Sequence, residues 1–172
     1  MHEAVEPLVE MSEWVWIRFK EDLKDLTPEE IEWRPLPQAN NINLIIRHLR
    51  IETDWQLAGL ERGEPVPDDV TPKEQQVIDS VPFDFEENLK ALDTSCTRFI
   101  AVLRDMNLDQ LKQRTQAASW NYPSNKREYL LSYHHAIHLS QHIGQIHTIR
   151  NLYRETRGKP VRFFPDNPTF PR

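Results

Sequence analysis

Cysteine, glycine and long apolar runs are scarce in this chain. Its single cysteine, Cys96, excludes an internal disulfide and fits a reducing compartment. No uninterrupted apolar stretch approaches the roughly 18 residues of a membrane span. The opening MHEAVEPLVEM carries three glutamates among its apolar residues, which does not match the basic-then-apolar order of a secretory leader. The expectation is a cytoplasmic protein with no membrane partner. Positive charge is also in deficit: 21 Lys and Arg against 27 Asp and Glu leave a net charge of -6. Polyanions are repelled at long range, so nucleic acid is not the expected ligand. No segment sustains the alternation of a strand, and no internal repeat is present, which argues against β and solenoid architectures.

What the chain does have is enough apolar material for one core. Its 172 residues are 38% hydrophobic and include five Trp and seven Phe, so a single domain over residues 1–172 is expected. Four glycines and 13 prolines, the prolines clustered between periodic segments, punctuate helices joined by ordered connections. The apolar spacing predicts a first helix from Glu3 to Asp25, with Val5, Leu8, Val9, Trp16, Phe19 and Leu23 on its buried side. Thr27, Pro28 and Glu30 read as a capping box opening a short turn that ends by Trp33. A second long helix is predicted from Asn41 to Gly63 and a third from Phe85 to Met106, the latter turning Leu89, Leu92, Phe99, Ile100 and Leu103 inward. A fourth runs from Ser124 or Asn125 to Gly158. Residues 159–172, KPVRFFPDNPTFPR, are too proline-rich for a helix and form a tail. The fold class is therefore all-α, a four-helix bundle with long crossover connections.

The chemistry-bearing pattern lies in two of these helices. His138 and His142 are four residues apart in HHAIHLSQHIGQIHTIRNL, which stacks two imidazoles on one helical face. His48 sits in IIRHLRIETDWQLAGL. On a wheel of about 100° per residue it falls beside Leu44, Ile51 and Trp55, away from a polar face of Asn43, Arg47, Arg50, Asp54 and Glu61. His138 and His142 share a stripe with Leu131, Ile149 and Leu152; His134 and His135 flank it, and His147 falls on the far side. One inward histidine is ordinarily a neutral core residue hydrogen-bonded to a carbonyl. Three of them without partners would cost about 1–3 kcal/mol apiece, and a shared cation removes that cost. Three imidazoles favour Zn, Ni or another late first-row ion over Mg or Ca, and leave a coordination position open.

Glu52 falls one turn beyond His48, nearly opposite the polar face, as a candidate general base or partner to a metal ligand; its other reading is a helix-face ion pair. Gln145, one turn past His142, either orients a ligand or satisfies backbone groups, and His134 and His135 are candidate pocket residues. HLSQH lacks the glutamate of HExxH, which disfavours a zincin mechanism. Cys96 shares an arc with Leu92, Phe99 and Leu103 and reads as a buried, inert thiol. Arg150, Arg154 and Arg157 read as complements to the fourth helix's dipole, with attraction of an acidic thiol cofactor as the lesser alternative.

His48 in NINLIIRHL, with His138 and His142 in HLSQHIGQI, resembles the DinB-like superfamily, which places one histidine in its second helix and a pair in its fourth. Gly144, Gln145 and Ile146 complete that match. The resemblance implies an up-down-down-up bundle, a zinc- or nickel-type ion held by His48, His138 and His142, and a homodimer. It also implies a small-molecule substrate. Some members transfer a low-molecular-weight thiol such as bacillithiol or mycothiol to an electrophile, or isomerise maleylpyruvate; many have no assigned reaction. The leading expectation is a metal-dependent thiol transferase in which the metal stabilises a thiolate. The alternatives are a hydrolase using metal-bound water, and a non-catalytic bundle with a structural or sensing metal.

Overall fold

The computed structural model describes residues 1–62, 84–112 and 137–161, and every regular element among them is a helix. They are α1 (Glu6–Asp22), α2 (Pro28–Glu32), α3 (Ile42–Arg62), α4 (Phe85–Asp105), α5 (Leu108–Lys112) and α6 (Leu139–Thr156). The predicted all-α class holds. None of these helices is long and apolar enough to cross a membrane. Gly63, Leu131, His134, His135, the predicted opening of the fourth helix and the tail from 162 onward lie outside the described residues.

Local chemistry explains most boundaries. Pro7 sits in the first turn of α1, where its missing N–H costs nothing. The helix is shorter than the predicted 3–25, because Asp25 adopts φ 59°, a left-handed conformation that a helix cannot include. The Thr27 hydroxyl accepts from the Glu30 backbone N–H at 3.2 Å and caps α2. Glu30 does not close the predicted capping box; its carboxylate is buried against Arg150 instead. Asn41 and Asp84 cap α3 and α4 by accepting from Leu44 and Glu87 two turns or less inside each helix. α5 was not anticipated, although its signal is present. Asn107 and Gln110 hydrogen-bond each other's backbone N–H groups at 2.9 Å, a reciprocal cap written in the sequence as NLDQ. Gly158, at φ 63°, ends α6: Gly158 N–H donates to Glu155 and Lys159 N–H to Arg154, the paired bonds of a Schellman motif.

Cross-helix pairs fix the directions. Arg50 bonds Asn88, Asp54 bonds Ser95 and Glu61 bonds Arg98, so numbers rise together and α3 runs parallel to α4. Trp16 and Lys20 reach Asp93 whereas Glu13 reaches Arg104, so α1 is antiparallel to α4. His48 meets His138 and His142, while Ile45 shares a groove with Gly144, Gln145, Thr148 and Ile149; α6 is antiparallel to α3. In chain order the four long helices therefore go up, down, down and up. Parallel neighbours cannot be joined by a tight turn; a connection between two such helices has to span the length of one of them, about 30 Å for α3.

α2 is a strut. Three of its five residues are glutamates, and each binds a different group. Glu29 accepts from the Tyr153 hydroxyl and Glu30 from Arg150 Nε, both on α6; Glu32 accepts from the amides of Asn41 and Asn43 at the start of α3. Arg150 also donates to the Asp22 carbonyl oxygen, so its reading as a complement to the helix dipole is corrected: it is 6% exposed and anchors α6. Two more readings change. Asn43 and Arg47 are buried, not solvated, because α3 is covered almost all round in its first half. Leu152 is exposed on the side away from the core. The core itself gathers the predicted Val9, Trp16, Phe19, Leu92, Phe99, Ile100 and Leu103, joined by Ile42, Ile45, Ile46 and Leu49 of α3 and Leu139 and Ile146 of α6.

Asp22 is buried at the end of α1, and this burial pushes its carboxyl above the ordinary aspartate value, against the pull of His147, Arg18 and Arg150. His147 Nδ1 lies 3.6 Å from its Oδ1. A carboxyl with a raised folded-state pKa favours folding below its unfolded value and loses that contribution as pH rises through the folded value. Asp22→Asn should therefore raise the thermal midpoint at pH 7, with the gain shrinking as pH falls toward 4. Melting curves across that range check it, and a variant less stable than wild type at pH 7 would refute the reading.

Candidate metal centre

The half-buried His48 projects from the first half of α3, held by Ile45 and Leu49, which are fully buried on either side of it. His138 lies in a π-helical turn with Ile137 at the start of α6, and His142 follows one turn later. Such turns recur where a helix places functional groups. Leu139 and Ile146, both fully buried, pin the same stretch of α6 to the core.

These helices bring three Nε2 atoms together. His138 Nε2 is 3.1 Å from His48 Nε2 and 3.0 Å from His142 Nε2. The rings stand steeply to one another, at 89°, 59° and 72°, with centroids 4.7–5.1 Å apart. That is a tripod: nitrogens converge and ring bodies splay. Protons satisfy it poorly, because a neutral Nε2 is either one donor or one acceptor and His138 Nε2 faces two neighbours at once. A divalent cation with metal–nitrogen bonds of about 2.0–2.1 Å, tetrahedrally arranged, sets ligand nitrogens roughly 3.3 Å apart, close to what is observed. Among the described residues the convergent group numbers three histidines, with no carboxylate in it. His142 is 9% exposed and His48 and His138 somewhat more, so the cluster sits at the edge of the core, not sealed within it.

Gln145 has a definite part. Its Oε1 lies 2.8 Å from His142 Nδ1. A carbonyl oxygen only accepts, so Nδ1 carries the proton and the Nε2 lone pair points into the cluster. The sequence left open whether this side chain orients a ligand or satisfies backbone; it orients an imidazole. Glu52 is inward as expected, 4% exposed and one turn from His48, but its carboxyl is not among the converging atoms. Cys96 is fully buried beside Thr53, and burial drives its thiol far above the ordinary range, which matches the inert reading. Two of the three arginines lie away from the cluster. Arg150 is consumed in the α2 contact, and Arg157 stacks on Tyr153, some 22 Å along α6 from His142. His134 and His135 belong to the stretch that is not described.

An up-down-down-up helical bundle with a three-histidine cluster between its second and fourth long helices defines the class. The family model described as the DinB superfamily matches residues 11–146, and the chain belongs to that superfamily. No curated protein and no solved structure matches it.

Replacing Gln145 with Leu should free the His142 tautomer. Nitrogen-15 imidazole shifts that mark a protonated Nδ1 in the wild type should move toward a mixture of both forms. Unchanged shifts would remove Gln145 from this role.

Proposed function

We propose that the protein is a metal-dependent enzyme that binds a late first-row divalent ion, Zn or Ni, through His48, His138 and His142 and transfers a low-molecular-weight thiol, such as bacillithiol, to an electrophile. The observation that carries the metal reading is the meeting of three Nε2 atoms within 3.0–3.1 Å along His48–His138–His142. Neutral imidazoles suit Zn or Ni better than Mg or Ca, and three protein ligands leave room for a substrate atom. When bound, such an ion supplies Lewis acidity that lowers the pKa of a thiol or of water near it.

The chain's own residues do the rest. Gln145 holds His142 with its donor nitrogen forward. The α2 strut holds α6 at the height where His138 and His142 face His48. In this reading Glu52, buried one turn from His48, takes the proton a thiol gives up before its sulfur attacks carbon. The electrophile's leaving group, or the opened epoxide oxygen, then receives a proton. Support for the thiol as nucleophile comes from the family resemblance and from an ion suited to sulfur; the same residues would serve hydrolysis if water replaced the thiol.

Two measurements test this. Purified wild type should carry about one Zn or Ni per chain, as expected for a three-ligand site, and His138→Ala close to none; equal metal content in both would defeat the assignment. Wild type loaded with metal should also speed adduct formation between bacillithiol and an epoxide or alkyl halide, at least tenfold over His138→Ala in the same metal solution (about 1.4 kcal/mol). Equal rates across several thiols would transfer the reading to hydrolysis.

A further inference from the structure

α3 carries a file of polar side chains on its inner side. Glu52 follows His48 by four residues and Gln56 follows Glu52 by four, each advancing about 40° around the axis and 6 Å along it. Gln56 is 2% exposed, and Leu49 and Leu60 of the core sit on the same side. Buried polar groups are normally satisfied. On α3, Asn43 Oδ1, Arg47 Nε and Glu52 Oε1 each meet no hydrogen-bond partner, but those side chains are engaged through other atoms, and Thr53 bonds the Cys96 thiol. Gln56 differs: its buried Oε1 meets no donor, and among the described residues no other atom of its side chain is bonded. An apolar residue of the same volume would remove that penalty at once. A carboxamide kept at this depth, two turns from a three-imidazole cluster, has the chemistry of a ligand contact.

We infer that Gln56 is a specificity-determining residue of the histidine site: its side-chain amide binds a neutral amide or hydroxyl group on a substrate whose other end lies at His48, His138 and His142. The inference rests on the metal reading above and adds the substrate's chemical class. A carboxamide offers one acceptor and two donors without charge, so it matches a neutral amide on both edges. A carboxylate in that place would lie beside the carboxyl of Glu52, which disfavours an anion there. The substrate is then an elongated molecule with a metal-seeking atom at one end. Its uncharged hydrogen-bonding group lies up to about 12 Å away, the rise of eight helical residues, less the reach of the glutamine.

The full-length protein loaded with cobalt(II) provides the test, read by thiolate-to-cobalt charge-transfer absorption. The probes are ω-mercaptoalkyl acetamides with about two to six methylenes, the range set by that helical rise, beside alkanethiols and ω-mercapto carboxylates of matching length. Wild type should bind one acetamide of the series at least tenfold more tightly than its matching alkanethiol, and more tightly than its carboxylate. Gln56→Leu should abolish the preference while leaving cobalt uptake and alkanethiol affinity unchanged, and should raise the thermal midpoint. Gln56→Met serves if the leucine variant fails to fold. A normal cobalt spectrum with no acetamide preference, or a preference that survives both substitutions, overturns this inference alone. Wild type that takes up no cobalt overturns the metal reading and this inference with it.

Discussion

The height and rotation of α6 against α3 decide whether there is a site at all. A slip of one residue moves an imidazole 1.5 Å along the axis and 100° around it, which is enough to break a contact of 3.0 Å. Hydrophobic packing alone is a weak ruler for such a register, since Leu139, Ile146 and Ile149 would bury nearly as well after a small shift. Hydrogen bonds are a better one because they are directional. Arg150, buried and bonded to both Glu30 and the Asp22 carbonyl, meets them in only one position. α2 completes the gauge by gripping α6 with Glu29 and Glu30 and the first turn of α3 with Glu32. Five residues thus set the distance between two helices whose nearest histidines lie roughly 8 Å beyond Asn43 on α3 and about 12 Å from Arg150 on α6.

This arrangement has a cost in burial. Asp22, Glu30, Arg150, Asn43, Arg47, Glu52 and Gln56 are all largely removed from water, an unusual polar load for a domain of this size. Pairing offsets most of it. Where it does not, at single atoms of Asp22, Asn43, Arg47 and Glu52 and at the Gln56 amide oxygen, the molecule carries groups that a design for stability alone would replace. Such groups concentrate at helix junctions and along the inner side of α3, so stability yields there to register.

Periodicity located the long helices because a helix reports its buried side through its own sequence. The cap at Thr27 was legible, as were the ends near Asn41, Asp105 and Gly158, since capping is a conversation among neighbours. Asn107–Gln110 was equally legible and was missed, for it opens a helix too short to show any apolar period. The polar face assigned to α3 failed for another reason. Asn43 and Arg47 look solvated on a wheel because the wheel contains no neighbouring element, such as the α2 that bonds Asn43, to cover them. Arg150 misled in the same way: near a helix C-terminus it resembles a dipole partner, and only Glu30, 120 residues earlier, turns it into an anchor.

By itself the sequence determined the helical class, the single buried cysteine and the three histidines to watch, because spacing along one helix dictates which side chains share a face. Three things were decided by tertiary structure alone: that the Nε2 atoms converge, that Gln145 sets the proton on His142, and that Glu52 stays out of the converging set. Each depends on the position of one helix relative to another. That position is chosen by buried hydrogen bonds between residues distant in the chain, and no local pattern encodes it.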